Sequence, residues 1–287
     1  MPNFFEEVDA SGIVENHIRQ VLNLEDDQAR IVLGEYQEIR KDLIDRLSRA
    51  RPGTFTQQHL RGTLAQVQGA IVAINKHLGG AMTQSAFQTA LKGVNHMVKE
   101  LNVFDEQFTG AVTPINLNAA LMAHDVSQLL VTKYQTNLDA YGTDLYRQIS
   151  NGLFSASLGA TSYDEVVGGV SRFFLADEWK LHRIIRTELH GVYNRAKITG
   201  MTKLVDDDII PDMKKTLIQP MDARTGEDSK YAASLALVVE MDKPFVYTWN
   251  RKVREFMAPP DRPNDRSVLI PYRDAWGSDK GPAFLPF

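Results

Sequence analysis

The sequence predicts a mainly α-helical protein, in which an N-terminal antiparallel helical bundle is followed by a small, loop-rich α+β module. Two observations predict this fold class. Apolar residues recur every three or four positions through the first two thirds of the 287-residue chain, as in helices that bury one face. Of the 12 prolines, nine lie between residues 211 and 286, and proline breaks helix interiors. We therefore assign residues 1–150 to a helical bundle region and residues 151–287 to the module.

Three apolar stripes in the N-terminal region each predict one helix. The first runs over residues 26–50 and should end at Pro52, which cannot continue the hydrogen-bond ladder. The second spans residues 60–78 at nearly heptad spacing, and the Gly79–Gly80 pair should end it. The third covers residues 84–101. Short breaks join the three helices, so we expect antiparallel packing in which each buries its stripe on a neighbour.

The middle of the chain predicts four more helices. One begins near Pro114 and should end near Gly142, and a short one covers residues 143–157. Ser162 and Glu165 have the spacing of a capping box and predict the start of a helix that ends near residue 174. The last long helix covers residues 177–201. Four polar residues recur at every fourth position on one of its faces: His182, Arg186, His190 and Asn194.

After residue 205 the pattern changes to short segments separated by prolines. Residues 245–249 alternate and are rich in β-forming side chains, as are residues 267–270, so both predict strands. Residues 235–239 suit either a strand or a helix end, and periodicity does not distinguish the two. The three aspartates of residues 206–208 would suit a hard cation, although a solvated acidic turn is the favoured interpretation.

Composition excludes several classes of protein. The chain has no cysteine, which excludes disulfides, a thiolate nucleophile and cysteine-based zinc sites. It has no apolar run of about 18 residues and no basic N-terminal segment followed by an apolar one, so we expect no membrane span, no secretory signal and a cytosol-like setting. The net charge is −4, and residues 176–287 carry only +1, which is too little to indicate nucleic-acid binding. The common nucleotide-binding, zinc-protease and hydrolase motifs do not occur.

Polar residues that suit mutual pairing are concentrated in three segments of the last 110 residues. The predicted network comprises Arg186, Thr187, Glu188, Asn194, Asp222, Arg224, Thr225, Asp228, Arg262, Asn264, Asp265 and Arg266. A guanidinium binds a carboxylate through two parallel hydrogen bonds, so the segments would lock together and replace a large apolar core. Paired carboxylates beside an arginine also suit an acid/base or phosphodiester site. We favour the structural interpretation because no His or Cys follows residue 190 to act as a base.

Two other sets of residues are of the types that bind phosphate or metal. The basic residues Arg251, Lys252 and Arg254 are candidate phosphate contacts, with a solvated loop as the simpler explanation. The histidines of the N-terminal region lie too far apart in sequence to propose a local metal site; they are His17, His59, His77 and His96. We expect no metal and no cofactor.

The order of the polar segments resembles a known family. The matching segments are Arg186-Thr187-Glu188 with Asn194, then Asp222-Ala223-Arg224-Thr225, then Pro259-Pro260-Asp261-Arg262-Pro263 leading to Ile270-Pro271. An RTE-type triplet with a downstream Asn, a D-x-R-T turn and a Pro/Arg-rich closing segment, in that order, resemble the phage Mu F-type minor head proteins, also called phage head morphogenesis proteins. The resemblance covers roughly residues 150–276, and the N-terminal helices show no specific match.

One departure from the family pattern concerns metal binding. Many relatives carry Cys and His in the D-x-R-T turn and in the closing segment, where a metal would crosslink the two. Here the turn continues with Gly226, Glu227, Asp228 and Ser229, and the chain has no cysteine. A zinc-stapled module is therefore excluded, and the arginine–carboxylate network would have to join the segments instead.

The resemblance implies a structural, non-enzymatic component of a tailed-phage head. Such a protein would be made in the cytoplasm of the bacterial host, would reside in the virion at the portal vertex in several copies, and would assist head assembly or DNA packaging and delivery. Its partners would be the portal protein and the major capsid or scaffold proteins. Two alternatives stay open: a DNA-binding internal head or ejection protein that contacts genomic DNA, and a toxin-like nuclease or transferase module.

Overall fold

The computed structural model of the protein describes residues 10–49, 57–104, 119–220 and 225–276. Four long helices lead into a short region of antiparallel strands, which confirms the predicted fold class. The long helices are α1 (Ala10–Arg49), α2 (Gln57–Phe104), α3 (Ala119–Ser157) and α4 (Tyr163–Asp206). None of the helices in the described ranges is long and apolar enough to cross a membrane.

The helices are longer and fewer than the sequence predicts. The Gly79–Gly80 pair lies inside α2, Gly142 lies inside α3, and the two helices expected over residues 163–174 and 177–201 are one. Glycine costs a helix roughly 1 kcal/mol relative to alanine, which tertiary packing readily offsets. At Gly142 a methyl group would lie 2.9 Å from the Ile71 side chain, so the missing Cβ allows α3 to approach α2 closely.

The helix boundaries give mixed results. The capping box is confirmed, because the backbone N–H of Ser162 donates to the Glu165 carboxylate at 2.7 Å and the N–H of Glu165 donates to the Ser162 hydroxyl at 3.1 Å. The predicted start of the first helix at residue 26 is wrong, since α1 begins at Ala10. The predicted endpoint at Pro52 and the predicted start at Pro114 lie outside the described residues.

Five strands and one short helix form the C-terminal region. They are β1 (Lys214–Ile218), α5 (Glu227–Ser234), β2 (Val238–Glu240), β3 (Phe245–Trp249), β4 (Lys252–Phe256) and β5 (Val268–Tyr272), and a 3-10 turn follows at Asp274–Trp276. β1 is the central strand of an antiparallel sheet in the order β2-β1-β5, and β3 pairs with β4 in a separate hairpin. Thr216 of β1 faces Val238 on one side and Ile270 on the other.

The strand predictions are partly confirmed. The strand expected over residues 245–249 is β3, and the one expected at 267–270 is β5, displaced by one residue at its start. Residues 238–240 are a strand, which resolves the ambiguous segment. β1 and β4 were not predicted, because their sequences KKTLI and KVREF carry charges that hide the alternation.

The chain forms two compact units, and each long helix contributes a segment to both. The first unit contains residues 1–26, 86–128 and 186–287, and the second contains residues 27–85 and 129–185. Residue 150, at which the sequence analysis divides the chain, lies inside α3. That division stays a prediction.

Each unit has its own apolar core. Buried side chains in the first unit include Ile18, Val21, Val94, Met97, Leu101, Leu189, Val192, Phe245 and Leu269. Buried side chains in the second include Tyr36, Leu43, Leu47, Leu78, Ile149, Leu153 and Phe174. The first unit also buries many polar and charged side chains, and these define the candidate site.

Candidate functional site

Asn194 on α4 attaches the closing segment, residues 259–272, to the helix. Its amide oxygen accepts the backbone N–H of Leu269 at 2.8 Å, and its amide nitrogen donates to the carbonyls of Ser267 at 3.3 Å and His190 at 3.1 Å. The side chain is fully buried. The amide therefore ties the start of β5 directly to α4.

His190, one turn earlier on α4, joins the closing segment to α1. Its Nδ1 lies 2.7 Å from a Glu25 carboxylate oxygen, and its Nε2 lies 2.6 Å from the carbonyl oxygen of Ser267. Both partners are acceptors, so only a ring with a proton on both nitrogens, an imidazolium, satisfies both contacts. Burial alone lowers the pKa of His190, but the charge and hydrogen bond of Glu25, with the charge of Asp265, outweigh burial and raise it.

Asp265 shapes the turn that presents Ser267. Its carboxylate accepts the backbone N–H groups of Asp261 at 3.0 Å and Ser267 at 3.1 Å, and it also accepts the Ser267 hydroxyl. The same hydroxyl accepts a hydrogen bond from the side-chain amide of Gln219, just after β1. The buried Asp265 carboxylate therefore fixes the carbonyl to which α4 binds.

Arg262 connects the closing segment to α5. Its guanidinium lies 2.8 Å from Asp228 and 2.6 Å from Asp261, and it also donates to the Ser229 hydroxyl. Tyr247 of β3 donates its hydroxyl to Asp261 at 3.2 Å. Burial and the nearby Asp261 carboxylate raise the pKa of Tyr247 to about 12. Each carboxylate in this group therefore has a guanidinium or hydroxyl partner.

The remaining predicted residues take varied positions. Thr187 accepts the backbone N–H of Asn264 at 3.4 Å, which is a third link between α4 and the closing segment, after those of Asn194 and His190. Arg186 instead lies 2.9 Å from Asp26 of α1, and the Thr225 hydroxyl donates to the Pro220 carbonyl. The other predicted members are Glu188, half-buried on α4, Arg266, half-buried beside Asp265, and Asp222 and Arg224, which lie outside the described residues.

A polar pocket of about 250 Å³ opens where these contacts meet. Its walls are Glu25, Arg186, Thr187, His190, Asn264, Asp265 and Arg266. Five of these seven residues belong to the network predicted from sequence. Glu25 was not predicted, because it lies 165 residues before its partner His190 and only the tertiary fold brings the two together.

A second buried polar cluster, one helical turn further along α4, was also not predicted. Lys197 donates to Glu100 of α2 at 2.5 Å, and His17 of α1 lies 2.9 Å from the same carboxylate. The rings of His17 and His96 stack at 3.7 Å, and His96 lies 2.8 Å from the Tyr193 hydroxyl. Burial, followed by repulsion from His17 and nearby lysines, lowers the pKa of His96 to about 2.

The sequence contains one signal that indicates this second cluster. Residues 190, 193, 194 and 197 of α4 fall at helical spacing and are all polar or aromatic with a polar end. The polar face predicted from sequence, with one polar residue at every fourth position, includes His190 and Asn194 but not Tyr193 or Lys197. Of the four histidines that lie too far apart in sequence to predict a metal site, His17 and His96 meet, but no group of three or more metal-ligating side chains occurs in the described ranges.

The two remaining candidate sites lie at the surface. Asp206, Asp207 and Asp208 are exposed at the end of α4, where Lys203 binds Asp207 at 2.7 Å. In the β3–β4 hairpin, Arg251 and Lys252 are exposed, whereas Arg254 is half-buried and lies 3.9 Å from Asp261.

This arrangement is suited to holding chain segments together. The ring nitrogens of His190 are both engaged, the Asp265 carboxylate accepts three hydrogen bonds, and Asp228 is paired with Arg262. Groups that are already satisfied inside the protein are poorly placed to accept or give a substrate proton. Comparisons of the chain with models of protein families, with curated proteins and with solved structures gave no match.

Proposed function

We propose that the protein is a structural minor head protein of a tailed bacteriophage, associated with the portal vertex and assisting head assembly or DNA packaging and delivery. The order of the RTE-type triplet, the D-x-R-T turn and the closing segment motivates the proposal. The observation that carries it is the pair of hydrogen bonds by which Asn194, the residue downstream of the triplet, holds Ser267 and Leu269 of the closing segment. The helix that carries the triplet and the closing segment therefore interact as parts of one module.

The ionisable side chains around the pocket are paired with other parts of the chain, and this pairing supports a structural role over an enzymatic one. A nuclease or transferase would need a carboxylate or imidazole with a free position toward its substrate. His190 and Asp265 both face the pocket, but their nitrogens and oxygens bind other parts of the chain. We therefore place the toxin-like nuclease or transferase module last among the alternatives.

Surfaces for partner proteins are available in the second unit. Leu158 is 69% exposed and Phe154 is 57% exposed, four residues apart at the end of α3, and Trp179 of α4 is 58% exposed. Large exposed apolar side chains in close succession are typical of protein–protein contacts. In our proposal these residues contact the portal protein or the capsid and scaffold proteins, and the protein is present in several copies in the virion.

Binding of genomic DNA is the second candidate function. Its support is the exposed pair Arg251 and Lys252 at the turn of the β3–β4 hairpin. Each phosphate neutralised by a cation contributes to affinity, but strong binding takes several of them. Because Arg254, the third predicted contact, lies next to Asp261, the hairpin offers less positive charge than its sequence implies.

Mass spectrometry of purified, genome-filled particles tests the proposal. We expect the protein in these particles at a copy number in fixed proportion to the portal ring. Particles assembled without the portal protein are the control, and they should lack it. Absence from filled particles, or an amount that does not change when the portal is removed, would contradict the proposed role.

A further inference from the structure

His190 is the point at which three parts of the first unit meet through one side chain. The residue belongs to α4, its Nδ1 faces Glu25 of α1 at 2.7 Å, and its Nε2 faces the Ser267 carbonyl of the closing segment at 2.6 Å. A carbonyl oxygen and a carboxylate both accept hydrogen bonds, so only the doubly protonated ring satisfies both. A neutral ring has one N–H, and its bare nitrogen would face an oxygen.

The charged groups around His190 favour the protonated ring. From α1 come Glu25 and Asp26, and Asp26 is neutralised by Arg186 of α4 at 2.9 Å. From the closing segment come Asp265, whose charge acts on the ring, and Arg266, which also lines the pocket. The buried carboxylates of Glu25 and Asp265 outweigh the cost of burying the imidazolium, so the pKa of His190 is raised in the folded protein.

The polar pocket gives protons a route to this buried ring. His190 itself forms part of the wall of the 250 Å³ pocket, next to Thr187 and Asn264. The ring can therefore lose its proton to solvent while the surrounding helices stay packed. Once the ring has lost the proton on Nε2, Asn194 is the side chain of α4, among the described residues, that still donates to the Ser267 carbonyl.

We propose that His190 is a pH-sensitive latch, which as an imidazolium ties the Ser267 carbonyl of the closing segment to Glu25 of α1 and as a neutral ring loosens that segment. A histidine whose folded-state pKa exceeds its unfolded value near 6.5 contributes stability below that value. The contribution is lost as the pH rises through the folded-state pKa. The closing segment is therefore held firmly in mildly acidic solution and less firmly in alkaline solution.

Backbone amide exchange across this transition tests the latch in the full-length chain. The measured quantity is the protection of the backbone amides of residues 267–269, corrected for intrinsic exchange, between about pH 5.5 and about pH 9. We expect this protection to fall as the pH rises. The fall should be about tenfold for each unit by which the pKa of His190 in the folded protein exceeds its pKa in the unfolded chain. In His190→Gln the protection should be lower at acidic pH and should not change with pH in this way. His77→Gln, at an exposed position of α2, is the matched control and should keep the wild-type profile.

Nuclear magnetic resonance of the His190 imidazole in the wild-type protein is a second test, which does not require that His190→Gln folds. Both ring nitrogens of His190 should carry protons at mildly acidic pH, and their titration should coincide with a shift of the Leu269 amide resonance. A singly protonated ring at mildly acidic pH would overturn the proposal. Protection of residues 267–269 that is the same across the pH range would also overturn it.

Discussion

Asn194 uses both ends of its amide inside the protein, just as His190 uses both of its ring nitrogens. A buried donor or acceptor without a partner costs about 1–3 kcal/mol, so each member of such a network depends on the others. Lys197 and His17 repeat the arrangement, since each has a nitrogen less than 3 Å from the buried Glu100 carboxylate. Loss of one partner leaves the other buried and unsatisfied, which is why single substitutions here should have large effects.

The substitution Asn194→Asp tests this dependence at one residue. The new carboxylate keeps the shape of the amide but has no N–H to donate to the Ser267 and His190 carbonyls, and it places a negative charge beside them. We expect the free energy of unfolding in urea to fall by about 3 kcal/mol.

Asn151→Asp, at an exposed position of α3, is the matched control and should change that free energy by about 0.5 kcal/mol or less. Equal effects at the two positions would mean that the buried amide is not a structural contact.

At the scale of elements, close approach of α2 and α4 depends on Gly93. A methyl group there would lie 2.5 Å from the carbonyl oxygen of Tyr193 and 3.2 Å from Ala196. The His96–Tyr193 and Lys197–Glu100 contacts join the same two helices, at α2 residues that follow Gly93 by one and two turns. The small residue and the polar pairs therefore fix the same helix–helix contact.

Gly93→Ala should separate these helices and destabilise the protein. We expect a loss of about 1–3 kcal/mol from overpacking, measured as the free energy of unfolding in urea. The matched control is Gly69→Ala on α2, where a methyl group meets nothing within 4 Å. There the better helix propensity of alanine should stabilise the protein by about 0.5–1 kcal/mol. Stabilisation by Gly93→Ala would contradict the close contact.

The sequence predicts which parts of the chain are helical, but not where each helix begins and ends. Local signals such as the Gly79–Gly80 pair favour a break, whereas packing of the whole element keeps α2 continuous. β1 was missed because Lys215 looks like a surface residue. It is buried, it donates to the carbonyls of Met241 and Met257, and burial lowers its pKa to about 8.

In the candidate site too, residues in dense polar segments are predictable from the local sequence, whereas partners that are distant in sequence are not. Asn194, Thr187, Asp228 and Arg262 come from dense polar segments, and the structure brings them into contact with the closing segment or α5. Glu25 does not stand out, because nothing in its local sequence indicates a partner 165 residues away. Pairing of distant charges is decided by the fold.

At the scale of the whole molecule, the polar contacts of the first unit join α1, α2, α4 and the closing segment. α1 contributes Glu25, α2 contributes Glu100, α4 contributes His190 and Lys197, and the closing segment contributes the turn built on Asp265. A module held in this way keeps its shape without a metal crosslink. That property suits the proposed role of a structural component in a particle, where shape rather than turnover is required.

The unfolding free energy of Asp265→Asn tests this account most directly. The substitution keeps the size of the side chain but weakens the acceptor for the Asp261 and Ser267 N–H groups and places an N–H₂ group where a donor now points. We predict a loss of about 3 kcal/mol or more in urea, since hydrogen bonds to a buried charge are the strong ones.

Asp144→Asn is the control for this measurement, because its carboxylate forms only an exposed pair with Arg147 among the contacts described. It should leave the free energy of unfolding within about 0.5 kcal/mol of wild type. If Asp265→Asn also leaves the unfolding free energy unchanged, the buried network does not hold the module together and the central claim is wrong.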